Sequence, residues 1–368
     1  VVLRDEWANG FGPVIRTDLL EENGIATPTT WDEVLDALAQ LKEIYPDSTP
    51  WAIRKGTANL LKTTSYMLGS GFGSVSASSG MYWDEDLGKY VYGPADTNFK
   101  EVLKFLNKAY TTGVLDQEYA TTDSDSMTTK CSSGQSFFFV DNSGFGQNYT
   151  NELRKIAGNE NATFQVPENS LGERRAVSYD TRFGKLYAIN ANAKNKDQII
   201  KFIDWMYSME ASDITNYGIE GETFQYNADG EAEYISDYVM QFKDASPSGA
   251  GKLDFSMYAC NIKTQREIQM ITGSWSDLTE DYWKIINDDD AYVQPHIAPS
   301  FTTEEADRVK ELTTDLDTFF TQEYDKYITG KESIDNWDAL IKKAEDMGVR
   351  ELEQLWNDAE ARAVAGTK

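Results

Sequence analysis

The apolar run Phe137-Phe138-Phe139-Val140 ends on Asp141 and Asn142, and Phe145 follows within the same turn. A carboxylate, a carboxamide and an aromatic ring at the end of a buried strand combine acceptor, donor and apolar plate. A hydroxyl-rich ligand needs that combination. In open α/β sheets, ligands gather at the loops beyond the carboxyl ends of strands. Asp141 and Asn142 serve equally well as caps of the helix that follows, so both readings stand side by side.

Covalent chemistry has less to work with. The 61 acidic residues could supply a carboxylate pair, but glycoside hydrolysis needs two carboxyl groups about 5–9.5 Å apart across a sugar. No string here marks a catalytic acid. Glu220 and Glu222 flank Gly221 and read as residues that shape a loop. The one histidine, His296, sits in the proline-bounded YVQPHIAPSF. It excludes a multi-histidine zinc site and any Ser-His triad not centred on it. The glycine and serine cluster from Gly69 to Gly80 lacks the Lys-Ser/Thr of a phosphate loop. Asp84 and Asp86 begin like a calcium loop, without its later ligands. Cys131 and Cys260 match no metal spacing and read as unpaired structural thiols, although geometry could pair them. The expectation is no enzyme, no metal and no cofactor.

These side chains must be positioned by a chain long enough, at 368 residues, for two lobes with sizeable cores. The net charge of -27 argues against nucleic acid, which would demand a basic stripe. No apolar run approaches the roughly 20 residues of a membrane helix. Aromatic residues reach 12%, most of them for the core.

Periodicity supplies the frame. Thr30 and Glu33 form a capping box before a helix starting at Trp31, with Val34, Leu35, Leu38 and Leu41 on its apolar side. Gly24 closes the preceding turn as a C-cap glycine. TPWAIR at 49–54 reads as a short strand, and a polar loop then enters a helix. WDEDLGKYVYG reads as a hairpin-like turn. Phe99, Val102, Leu103, Leu106 and Tyr110 mark another helix, closed by Gly113. Leu186–Ile189 reads as a strand before a helix at 197–207, and a turn falls at Asp229–Gly230. A second capping box, TTEEADRV, opens a long helix from Thr302 to Tyr327 along Val309, Leu312, Leu316 and Phe319. Two more helices follow, divided at Gly348.

The strings IRTDLLEENGIATPTTWDE, YVYG through GVLDQEY, SGQSFFFV, YAINANAKN, YGIEGE, FTTEEA and ITGKESIDNWDALIKKAEDMGVRELEQLW run in this order along most of the chain. In order and spacing the chain resembles the extracellular solute-binding proteins of family 1, carbohydrate receptors of ABC importers. The last string is similar to their gut-bacterial lipoprotein branch. The resemblance implies an α/β, type II periplasmic-binding-protein fold of two lobes joined by crossing hinge strands. Residues 8–183 with 300–368 would form the second, C-terminal lobe, and 184–299 part of the first. In relatives the IRTDLLEENGI segment lies just after the first crossing, so the first lobe would be incomplete without a preceding stretch on the order of 100 residues.

The resemblance also carries residues. The loop after TPWAIR aligns with a ligand-touching loop, which points to Arg54, Thr57 and Asn59. The turn after SFFFV aligns with an aromatic platform, where Phe145 is the nearest ring. YDTRF precedes the hinge, so Tyr179, Asp180 and Arg182 would face the cleft or form a hinge salt bridge. The implied function is non-catalytic capture of a mono- or oligosaccharide between the lobes. The implied partners are a carbohydrate and the membrane permease subunits of the importer. Membrane attachment would come only through an N-terminal lipid anchor outside this chain, on the cell surface or in the periplasm. A carbohydrate-active enzyme and an acidic protein-interaction scaffold are the alternatives.

Overall fold

The computed structural model describes residues 2–3, 11–65, 67–68, 70, 80–165, 183–185, 188–208, 210–211, 214, 218–228, 230, 232–235 and 296–366. Tyr179, Asp180, Arg182, Cys260 and most of the loop between Gly69 and Gly80 lie outside the described residues. The chain divides into two compact units. The smaller comprises Val1–Asp5 with Arg182–Glu280, and the larger comprises Glu6–Thr181 with Asp281–Lys368.

The larger unit is built on a sheet whose central strand is β2 (Phe11–Arg16), flanked antiparallel by β5 (Phe138–Asn142) and β6 (Phe164–Gln165). TPWAIR does not make a full strand. Only Trp51 bridges, parallel to both Leu115 and Phe138. Pro50 has no N–H to extend that ladder, and Lys55 turns left-handed at φ 62, which ends it.

Helix α1 (Thr17–Glu22) leaves β2 and stops at Gly24, φ +66. The Gly24 and Ile25 N–H groups return to the carbonyls of Glu21 and Leu20. That is a Schellman closure, in which the glycine adopts the conformation a Cβ disfavours. Helix α2 (Trp31–Ile44) starts at the Thr30/Glu33 capping box and buries Trp31, Val34, Leu35, Leu38 and Leu41. The polar loop after Trp51 leads into α3 (Gly56–Thr64). A hairpin of β3 (Met81–Asp84) and β4 (Lys89–Tyr92) precedes α4 (Phe99–Thr111). In its turn the Asp84 carboxylate accepts the Leu87 N–H at 2.9 Å, a structural use of that acid. Helix α5 (Ser124–Ser132) precedes β5, and α6 (Gly144–Leu153) follows it directly.

The chain returns at its C-terminal end through α8 (Thr303–Ile328), α9 (Trp337–Asp346) and α10 (Val349–Gly366), after α7 (Lys196–Trp205) of the smaller unit. The Thr302/Glu305 capping box opens α8, as its spacing predicts. Every fourth residue from Leu312 through Leu316 and Phe320 to Tyr324 is buried, one stripe facing α4. The Tyr324 ring stacks on Phe99 at 4.7 Å, and its hydroxyl donates to the Pro94 carbonyl. Asn107 on α4 donates to the terminal carbonyls of Tyr327 and Ile328, both at 3.1 Å, satisfying groups the helix itself leaves open. Trp51 sits at the middle of the core, fully buried, with Phe138 and Phe105 edge-on at 5.2 and 6.2 Å.

In the smaller unit, β1 (Val2–Leu3) pairs with β7 (Phe183–Lys185), and β8 (Phe224–Tyr226) forms a hairpin with β9 (Ala232–Tyr234) through Gly230 at φ +80. The strand expected at Leu186–Ile189 lies partly outside the described residues, just after β7. Leu186 and Tyr187 fall outside the described residues, and Ala188–Asn190 has no strand pairing. Most of the variable stretch at 225–298 also falls outside them.

Candidate functional site

The end of β5 carries the most organised polar group. Arg54 stands just before α3, and its Nε and Nη2 donate to the two carboxylate oxygens of Asp141 at 2.7 and 2.6 Å. This is the bidentate fork that guanidinium and carboxylate geometry favour. Asp141 is 1% exposed and Arg54 17%, so the acid is sealed in while the base keeps an edge toward solvent. The Arg54 guanidinium carbon lies 4.9 Å from the centre of the Phe145 ring, a cation–π contact. Hydrogen bonding from Arg54 to Asp141 raises the arginine's pKa above its ordinary value, against the opposing effect of burial.

Asn142 settles the capping question on one of its atoms. Its side-chain oxygen accepts the Gly144 N–H at 3.0 Å at the start of α6, while the residue remains exposed. Asp141 does not cap α6; besides Arg54 it accepts the Asn142 N–H at 2.7 Å. Phe145 is half-buried and lies 6.1 Å from the ring of Tyr149, one helical turn further on. Burial pushes the Tyr149 phenol well up, which keeps it neutral beside the ion pair.

Thr57 does not join this group. It is buried, and its hydroxyl donates to Asp325 of α8 at 2.7 Å, where the Tyr119 hydroxyl also donates at 2.7 Å. The residue fastens α3 to α8, a structural role where a ligand contact was expected. Asn59, two residues along α3, is half-buried, and its side chain makes no hydrogen bond among the described residues. The structure therefore brings Arg54, Asp141, Asn142 and Phe145 together. Tyr179, Asp180 and Arg182 cannot be placed, since they lie outside the described residues. Sequence reasoning missed Tyr149, although its i+4 spacing from Phe145 places both on one side of α6.

Glu220 and Glu222 are exposed around Gly221, whose φ of +82 makes the turn. The His296 ring stacks on Trp83 at 3.9 Å, and its Nε2 lies 2.9 Å from the Glu360 carboxylate of α10. Cys131 is fully buried, and burial raises its thiol far above the ordinary range. Among the described residues no group of three or more His, Cys, Asp or Glu could hold a metal ion.

The family of bacterial extracellular solute-binding proteins matches residues 5–213. A Bacillus subtilis (strain 168) protein, polygalacturonan/rhamnogalacturonan-binding protein YtcQ, is 22% identical over 97% of this chain and 69% of its own length. Among solved structures, alginate-binding protein AlgQ2 without calcium ion superposes with a TM-score of 0.77 at 20% identity, covering 97% of this chain and 73% of that one. An HMO-binding, ABC-transporter-associated solute-binding protein from Bifidobacterium longum infantis superposes with a TM-score of 0.71 at 18% identity, covering 96% of this chain and 74% of that one. At these identities the structural likeness speaks for a shared fold.

Proposed function

The chain belongs to the bacterial extracellular solute-binding proteins and shares their two-lobed α/β periplasmic-binding-protein fold, and from that premise we propose that it captures a mono- or oligosaccharide for an ABC importer. The observation that carries the proposal is the constellation at the end of β5, where Arg54, locked by Asp141, lies against the Phe145 ring. A sugar offers hydroxyls to the guanidinium edge and a flat apolar face to the ring. Arg54, Asn59, Asn142 and Phe145 are the proposed contacts, and Asp141 orients Arg54. Tyr179, Asp180 and Arg182, which lie outside the described residues, are proposed as further contacts.

Several relatives named above are described as binding polysaccharides or oligosaccharides, which supports the ligand class. The same membership supports a non-enzymatic role, an extracellular or periplasmic location, and permease subunits as partners. A thermal-shift screen against neutral and acidic saccharides tests the proposal. A ligand at 100 times its Kd stabilises the folded state by about 2.7 kcal/mol, a clear rise in Tm. If no saccharide raises Tm at millimolar concentration, or if a saccharide is cleaved during the assay, the receptor assignment fails.

A further inference from the structure

The group at the end of β5 is one end of a longer row. Behind Phe145 stands Tyr149, the ring centroids 6.1 Å apart and the planes tilted by 32°. Behind Tyr149 stands Phe164 of β6, again at 6.1 Å, with Phe139 of β5 edge-on to both at 5.5 and 5.6 Å. The Arg16 guanidinium carbon lies 5.9 Å from the Phe164 ring centre, just as that of Arg54 lies 4.9 Å from Phe145. Each arginine is held at two nitrogens by one carboxylate, Arg16 by Asp18 at 2.7 and 2.6 Å and Arg54 by Asp141. Three rings thus bridge two locked guanidiniums, and every step falls within aromatic or cation–π contact range.

Tyr149 is the middle of this row. It is buried, and its hydroxyl shares a hydrogen bond with the Thr128 side chain of α5. Arg54 and Asp141 both act on it electrostatically, which places the phenol close to the ion pair. A ring packed against Phe139 and Phe164 and tied at its hydroxyl is held in one orientation. Phe145 is only half-buried, and among the described residues its ring touches nothing aromatic or cationic but Tyr149 and Arg54. Its angle is therefore set from behind. A ligand that meets side chains already ordered avoids the cost of ordering them, worth a factor of roughly two to ten in affinity for each side chain.

We propose that Tyr149 is a positioning residue of the saccharide site, whose ring fixes the angle at which Phe145, and Arg54 stacked on it, meet the ligand. The proposal rests on the receptor function above and adds a residue that does not itself touch the ligand.

Variants of the full chain separate ring from hydroxyl. Tyr149→Phe keeps the ring and loses the bond to Thr128, whereas Tyr149→Leu and Tyr149→Met remove the ring, the second serving if the first folds poorly. Calorimetric titration, well below every variant's Tm, uses an oligogalacturonate and a neutral galacto-oligosaccharide as probes. Tyr149→Phe should melt lower yet bind within about twofold of the unsubstituted chain. The two ring-less variants should bind about tenfold more weakly. In a Phe145→Leu background, removing the Tyr149 ring should cost less than about twofold more, because both act through one ring. A merely structural Tyr149 would lower Tm in all variants and leave the affinity of the folded chain unchanged. Without ligand, NMR of the Arg54 Nε–H, assigned by its loss in Arg54→Lys, should show faster exchange with water in Tyr149→Leu and not in Tyr149→Phe. Undiminished affinity in the ring-less variants overturns the inference, and so does full additivity with Phe145→Leu. If neither saccharide binds the unsubstituted chain, the receptor function fails. Unchanged Nε–H exchange in Tyr149→Leu would then strike the positioning role as well, and faster exchange would leave it standing.

Discussion

The ion pair between Arg54 and Asp141 predicts an ordering of mutational costs. Breaking a buried pair by removing one partner costs about 3–5 kcal/mol, because a desolvated charge is left behind. The two partners are not equally desolvated: the Asp141 side chain is 1% exposed and that of Arg54 17%. Asp141→Asn leaves a guanidinium that can turn its open edge to water, so the cost should fall near 3 kcal/mol. Arg54→Met leaves a carboxylate with no such escape and, among the described residues, only the Asn142 N–H as a hydrogen-bond donor. Its cost should lie nearer 4 kcal/mol. The double variant leaves no orphaned charge, so the single costs should overshoot the double by about 2 kcal/mol or more. Urea unfolding followed by circular dichroism and by tryptophan fluorescence supplies the four free energies, and coincident transitions justify a two-state fit. Additivity within about 0.5 kcal/mol, or Asp141→Asn costing more than Arg54→Met, would refute the account of this pair.

Two further outcomes follow from local geometry. A Cβ at Gly56 would stand 2.7 Å from the Ala120 carbonyl oxygen at φ +69. Gly56→Ala should therefore cost about 2–3 kcal/mol from left-handed strain plus the clash, measured as a lower Tm by calorimetry. An unchanged Tm would mean the loop relaxes freely. The Glu33 carboxylate has its pKa lowered from 4.5, first by the Thr29 backbone N–H and then by the Thr29 hydroxyl. A depressed acid stabilises the folded chain above its unfolded pKa and loses that contribution as pH falls through the folded value. The stability gap between the unsubstituted chain and Glu33→Gln should be full above about pH 4.5 and close on further acidification. A gap that persists in strong acid contradicts this.

Features set by neighbours in sequence were legible in advance. The capping boxes at Thr30/Glu33 and Thr302/Glu305 and the glycine stop at Gly24 each need only a few adjacent residues, and each forms as its spacing implies. That TPWAIR would pair only at Trp51 was not legible, since its bridges depend on Leu115 and Phe138 arriving from elsewhere. The site shows the same limit. Arg54 and Asp141 are separated by 87 residues, so their types can be singled out but not their pairing. Thr57 had the right chemistry for a ligand, but its partner Asp325 lies 268 residues away and claims the hydroxyl.

The contact between Tyr324 and Pro94 spans 230 residues of chain. At a synthesis rate of about 5–20 residues per second, α4 would wait roughly 10–45 s after leaving the ribosome before α8 exists to cover it. During that interval Phe99, Val102, Leu103 and Leu106, all buried in the finished protein, have no permanent cover from α8. The topology that lets α8 lock the larger unit thus also leaves the apolar side of α4 without its partner until the last part of the chain is made.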